Sequence, residues 1–297
     1  MARAHEEEKL SGEQARFGVP ALLLANAMLA TGPLFVRIAD VGPVAAGFWR
    51  LALGLPVLAV MAVMVGGGRT ARFTPALIAI VALSGLLFAA DLASWHLGIV
   101  RTKLANATLF GNSTSLIYPI YGFIIARLWP SLREGGALSL AAVGALLLMG
   151  RSYELSPEHL TGDLLSLLAG IFYTVYFIAI AQARAALAPL PLLAASTLAS
   201  ALPMLGFALA MGETLWPTDW RPLIALALVS QVVGQGLMVY VLGRLSPLVI
   251  GLGLLSQPVI AATIGWLWFG ETLGAVDLAG AALIALALVL VRAPTKA

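Results

Sequence analysis

Two charged residues stand inside runs that are otherwise apolar: Arg50 in GFWRLALG and Asp91 in LFAADLASW. An ionised side chain in a hydrophobic span is expensive and marks a functional position with a partner to be named. Counted from the start of one span and the end of the next, both lie about 10 Å below the same surface, at 1.5 Å per residue. They are therefore candidates to pair, either as an ion pair locking two helices or as a gate or substrate anchor. A histidine's ordinary pKa lies near neutrality, so His96, about one turn above Asp91 and beside Trp95, is a candidate proton sensor or a polar anchor. Gln231 and Gln235 are one turn apart, and Asn112, Ser115 and Pro119 recur at spacings that share one helical face. Two amides one turn apart bind the carboxylate and amine of a zwitterion, or tie helices together. Pro119 follows Tyr118, Pro258 follows Ser256 and Gln257, and each proline removes one backbone hydrogen bond within a span. Tyr173 and Tyr176, three apart, add rings able to stack on flat solutes or hold an ammonium group. The candidate substrate-binding set is thus Trp95, His96, Asn112, Ser115, Tyr118, Tyr173, Tyr176, Gln231, Gln235, Ser256 and Gln257, with Pro119 and Pro258 as helix breaks.

Little of this is enzyme chemistry. There is no HExxH, no Walker A loop and no aspartate-rich diphosphate motif. Ser94 and His96 are two residues apart, about 200° around a helix, and cannot act as nucleophile and base on it. With no cysteine and three histidines, neither a metal site nor a cofactor is expected. A channel would carry a polar or charged ring along one pore helix, whereas the polar residues here gather near the two prolines.

The elements that position these residues are long and apolar. Of 297 residues, 61% are hydrophobic and 10% charged, where a soluble domain carries about 25% charged residues. A polytopic helical membrane protein follows. The 17 Lys and Arg residues are scattered singly, so the formal charge of +3 implies no nucleic-acid surface. Ten spans are placed near Phe17–Val36, Pro43–Val65, Pro75–Gly98, Leu104–Ile125, Gly136–Gly150, Gly162–Gln182, Pro189–Met211, Trp220–Leu242, Pro247–Trp268 and Gly274–Val291. With the N-terminus inside, Arg3, Lys9, Arg16, Arg69, Arg72, Arg127, Arg133, Arg184, Arg244, Arg292 and Lys296 fall on the inner side. Arg37, Arg101, Lys103, Arg151 and Arg221 fall outside, so both termini are predicted cytoplasmic. Trp129, Trp216, Trp220, Trp266 and Trp268 lie near span ends, as headgroup anchors do.

The two halves match in order. GVPALLLA from Gly18 aligns with GDLLSLLA from Gly162, LIAIVALS from Leu77 with LIALALVS from Leu223, SLIYPIYG with LLSQPVIA, and VGALLL from Val143 with AGAALI from Ala279. Five spans per half is an odd number, so the repeats lie in opposite orientations, the inverted-repeat plan of many secondary transporters. The predicted divisions are a cytoplasmic tail 1–16, a first five-helix repeat 17–150, a linker 151–161, a second repeat 162–292 and a cytoplasmic tail 293–297. Ala137, Ala141 and Ala145, and Ala275 with Ala279, let backbones approach closely, either between the repeats or at a dimer face.

These features, with FWRLALG at Phe48–Gly54 and FGETLGAVDLAGAALI at Phe269–Ile284, resemble the EamA-type branch of the drug/metabolite transporter superfamily. Within it the sequence looks most like YddG-type bacterial exporters of aromatic amino acids, which place an aromatic residue where Tyr118 precedes Pro119. The first half departs from the pattern after segment four, where Glu134 comes later than the family's glutamate. The resemblance implies a bacterial inner-membrane carrier exporting small metabolites, most of all aromatic and other neutral amino acids. Alternating access would work around a central cavity lined by both repeats, with helices five and ten at the periphery. Drugs or other metabolites are the alternative cargo. Its partners would be a small-molecule substrate and the bilayer, as a monomer or as a dimer through helices five and ten.

Overall fold

The computed structural model describes residues 17–65, 74–102, 104–150, 157–269 and 274–292. The predicted tails 1–16 and 293–297 and most of the 151–161 linker lie outside the described residues. So do Arg3, Lys9, Arg16, Arg69, Arg72, Lys103, Arg151 and Lys296 of the orientation count, and the side chains of Trp266, Trp268 and Arg292.

The described residues form ten helical spans and no strand. They are α1 (Phe17–Ile38, broken at Thr31), α2 (Pro43–Val65), α3 (Pro75–Ile99), α4 (Leu104–Gly111 and Thr114–Ala126) and α5 (Leu132–Gly150). The second half supplies α6 (Leu160–Ala183), α7 (Pro189–Ala210), α8 (Arg221–Leu242), α9 (Pro247–Leu254 and Ser256–Phe269) and α10 (Ala275–Arg292). Six of these are long and apolar enough, by length and composition, to cross a membrane. Thr74 caps α3 with its hydroxyl, and Ser246 caps α9. Helix α5 starts four residues earlier than the apolar pattern alone predicts. Ser131 and Glu134 form a reciprocal capping box there, with the Ser131 N–H donating to Glu134 Oε2 at 2.9 Å. The displaced Glu134 is thus a helix cap.

The packing is that of two halves exchanged by a two-fold axis. Helix α2 packs on α7, α4 on α9 and α5 on α10, each against its own counterpart. One further pair of contacts follows the same exchange, α2 on α8 with α7 on α3. Helices α2 and α7 even carry interior prolines at matching depth, Pro56 and Pro203. At the α5–α10 crossing the aligned glycines Gly144 and Gly280 meet; a Cβ on Gly144 would lie 2.7 Å from the Gly280 carbonyl oxygen. Ala137, Ala141 and Ala145 are buried there with Ile284 and Ala287, so this stripe packs within the chain. Ala275 and Ala279 face outward instead.

The main core gathers Leu22, Leu51, Phe88, Tyr118, Tyr176, Phe177 and Met204 where α1, α2, α3, α4, α6 and α7 converge. At the end where α1 meets α2, a clasp joins the halves. The Glu213 carboxylate accepts the Ala45 N–H at 2.7 Å, Trp49 Nε1 donates to the Leu215 carbonyl at 2.6 Å, and Asp40 accepts the Thr218 N–H at 2.7 Å. Trp49, Trp216 and Trp220 stack edge-on or tilted, with centroids 4.8–6.3 Å apart.

Candidate functional site

A cavity of about 100 Å³ opens between the halves. Its wall residues on α3 (Phe88, Asp91, Leu92, Trp95) lie toward the C-terminal end of that helix, and those on α4 (Thr108, Gly111, Asn112, Thr114) toward the N-terminal end. Both sets, and Arg50 on α2, therefore sit at the clasp end of the bundle. Tyr173 on α6, Gln235 on α8 and Leu254 and Gln257 on α9 reach it from mid-helix. Toward the opposite end the same helices close up. Tyr118 meets Phe177 edge-on at 5.5 Å, Gly122 lies against Pro247 and Gly18 against Leu245.

Irregular backbone surrounds this space. Helix α4 is interrupted at residues 112–113, where Asn112 Nδ2 donates to the Thr108 carbonyl at 3.0 Å, which also accepts the Asn112 N–H. Just beyond, Thr114 Oγ1 donates to the Gly170 carbonyl of α6 at 2.7 Å. Helix α9 is interrupted at Leu255, and Asn26 of α1 spans that gap, donating to the Gly253 carbonyl at 3.0 Å and accepting from Gln257 Nε2 at 2.7 Å. Helix α8 runs as a π-helix over Leu226–Gln235. Such wide turns are rare and are frequent at functional sites; here they carry Gln231 and Gln235.

The charges are arranged differently from the expected ion pair. Arg50 and Asp91 line one cavity, but no contact within 4.0 Å joins them. Arg50 extends instead toward α8, where Nε donates to Gln231 Oε1 at 3.0 Å, and lies 5.7 Å from the Phe88 ring centroid. Gln231 is fixed in turn by donating to Thr197 Oγ1 at 2.9 Å. The Arg50 terminal nitrogens and the Asp91 carboxylate make no hydrogen bond to the described residues, although both side chains are buried. Behind them Phe88, Tyr173 and Tyr176 form a stack, with Phe88–Tyr176 at 4.7 Å and Tyr173–Tyr176 at 5.9 Å. Gln235 bridges the two tyrosines, accepting from the Tyr173 hydroxyl at 3.3 Å and donating to Tyr176 at 3.1 Å.

Among the residues singled out by sequence, the structure brings Arg50, Asp91, Trp95, Asn112, Tyr173, Gln235 and Gln257 to the cavity. It withdraws the others. Ser115 and Tyr118 are buried in helix packing, because the break at 112–113 turns them off the face of Asn112. Tyr176 and Gln231 stand behind the wall as supports. His96 is fully buried between α2 and α3, with Nδ1 2.6 Å from the Pro43 carbonyl. Ser256 donates to the Gly253 carbonyl of its own bend. Pro119 is no break: it stays inside a continuous helical piece, packed against Gly251, while Pro258 sits in the first turn after the α9 interruption, where its missing N–H costs little. Phe88, Asn26, Pro33 and Thr108 went unremarked. Asn26 and the Gly32-Pro33 pair were visible as a lone amide and a breaker in an apolar run; Phe88 carried no signal. No group of three or more His, Cys, Asp or Glu able to hold a metal occurs among the described residues.

Residues 160–293 match the EamA-like transporter family. That match is confined to the second half of the chain. The threonine/homoserine exporter RhtA of Escherichia coli (strain K12) is 31% identical over 140 residues, 47% of this chain and 48% of that protein. The protein of the same name from Salmonella typhimurium (strain SL1344) is 30% identical over the same length. The chain thus spans about half the length of the curated relatives it matches. A solved chain described only as the crystal structure of a protein superposes with a TM-score of 0.79 over 95% of this chain and 97% of that one. At 17% identity that likeness is one of fold. The matched region contributes Tyr173, Gln235, Leu254 and Gln257 to the cavity, while both charges come from the first half.

Proposed function

We propose that the protein is a secondary carrier that exports neutral amino acids by alternating access, with substrate held between the two halves. One observation carries this reading: a buried cation and a buried anion line the same cavity with their reactive ends unmatched. A zwitterion satisfies both at once, its carboxylate on the Arg50 fork and its ammonium on Asp91. Asn112, Gln235 and Gln257 supply further hydrogen bonds. The family match of the second half and the paired helix interruptions support the same reading.

The side chain would lie on Phe88, Tyr173 and Trp95, which favours aromatic and other apolar side chains. The partial likeness to threonine/homoserine exporters and the modest cavity favour a second reading, small hydroxylated amino acids. The charge count of the sequence supports cytoplasmic termini in a bacterial inner membrane, with the clasp end outside; the cavity would then face outward.

Purified protein in liposomes loaded with radiolabelled tryptophan, threonine, leucine or lysine tests this. Saturable release of tryptophan and leucine above empty liposomes, with little lysine release, is the expected result. Release of threonine in preference to tryptophan selects the second reading. Release of none of the four overturns the assignment.

A further inference from the structure

Two arginines at the end of the bundle opposite the clasp are held in place without a counter-charge. Arg184 directly follows the last turn of α6, half-buried, and reaches across to α8. Its Nε donates to the Val239 carbonyl at 3.1 Å and its Nη1 to the Leu187 carbonyl of its own turn. Its Nη2 lies over Gly243, where a Cβ would stand 2.9 Å away. Arg244 is the next residue, with its guanidinium on the Tyr240 ring, 3.8 Å from the centroid, and Nη1 3.4 Å from the Tyr240 carbonyl. Carbonyls thus fix one cation and a ring fixes the other. The two feel each other: burial first, and the Arg244 charge second, holds Arg184 below the usual arginine value. Carbonyls at helix C-termini favour a cation, but they do not neutralise two. Among the described residues no carboxylate lies within 4.0 Å of either guanidinium, and Glu134, at the same end, is engaged by Ser131. Arg184 Nη2 and Arg244 Nε and Nη2 have no acceptor among the described residues.

We propose that this pair is a binding site for the phosphate of an anionic phospholipid headgroup. The position argues for a lipid: Arg184 and Arg244 follow the apolar spans Leu160–Ala183 and Arg221–Leu242, at the level where headgroups lie. Tyr240 is the kind of ring that sits at that level. A phosphate brings negative charge and several acceptor oxygens to donors that are already ordered, which suits guanidinium groups. Binding there acts on the closure of this end of the bundle. The turn that carries Gly243 and Arg244 continues into Leu245, packed against Gly18 of α1, and Pro247, packed against Gly122 of α4. A phosphate that ties the ends of α6 and α8 together favours the arrangement in which this end is shut, and shifts the population toward it.

The full chain in an uncharged detergent, titrated with short-chain phosphatidylglycerol and separately with phosphatidylcholine, tests this through its Tm. Phosphatidylglycerol should raise the wild-type Tm saturably where phosphatidylcholine does not, and the apparent affinity should fall in high salt. Arg184→Gln combined with Arg244→Gln should weaken the phosphatidylglycerol affinity about tenfold or more. Gly243→Ala, at a position whose negative φ suits alanine, pushes Arg184 aside without removing a charge and should weaken it too. Arg127→Gln, at the same end but outside the pair, should leave it unchanged. No preference for phosphatidylglycerol in the wild type overturns the proposal. So does an equal loss in Arg127→Gln, the mark of a diffuse charge effect. An equal rise in Tm with inorganic phosphate in place of lipid assigns the pair to a soluble anion and overturns the headgroup. Should the double variant not fold, the wild-type, Gly243→Ala and Arg127→Gln titrations still decide.

Discussion

A guanidinium is useful to a substrate only if something else fixes its direction. Gln231 does this for Arg50, accepting at Nε and leaving the two terminal nitrogens toward the cavity, while Thr197 fixes Gln231. Replacing Gln231 by Leu keeps the volume but strands both Nε and the Thr197 hydroxyl in a buried site. The expected outcome is a loss of about 1–3 kcal/mol in a detergent melt, with KM raised and kcat little changed if the backbone holds. A Gln231→Glu variant, which still accepts from Nε, should recover KM. Polar residues were legible at this scale because an amide or a charge in an apolar run has no bland explanation. Phe88, equally central, was not, since an apolar ring in an apolar span looks like packing.

At the scale of the element, the prolines drew attention to α4 and α9, but the backbone opens upstream of them, at residues 112–113 and at Leu255. A proline removes one hydrogen bond; whether the helix breaks there depends on neighbours that take up the freed groups. At the α9 break Asn26 takes up the Gly253 carbonyl, and at the α4 break Thr114 ties the second helical piece to the Gly170 carbonyl of α6. Pro119 instead presses on Gly251, where a Cβ would lie 2.3 Å from the proline Cγ and 2.6 Å from the Ser115 carbonyl oxygen. Gly251→Ala must push α4 from α9 and should cost about 1–3 kcal/mol, read as a lowered Tm together with slower transport. The π-helix of α8 left no trace in the sequence, whose apolar run there reads as an ordinary helical span.

For the whole molecule, the clasp joins the halves at one end while the cavity lies between them. Asp40, exposed on the α1–α2 turn, is held below the usual carboxylate value of 3.8 chiefly by the Thr218 hydroxyl, with the Thr218 N–H second. The folded value lies below the unfolded one, so its contribution is present in full above 3.8 and is lost as pH falls through the folded value. Asp40→Asn should therefore melt earlier than wild type at neutral pH, and the difference should shrink as pH falls below 3.8 and vanish below the folded value. A constant difference at all pH values would show that the turn, not the charge, holds the clasp.

The sequence by itself determined that the chain is a bundle of ten apolar helices, with polar residues collected near their middles and halves that repeat in opposite sense. Hydrophobic length and periodicity are local properties, and repeats are visible by alignment. Only the tertiary structure decided which polar residues face one another. Asn112 and Ser115 parted because a helix broke between them, and Arg50 left Asp91 for Gln231 because a distant helix widened to meet it. Contacts between residues 181 positions apart depend on how helices are rotated against each other, and that rotation is set by packing summed over the whole bundle rather than by any one segment.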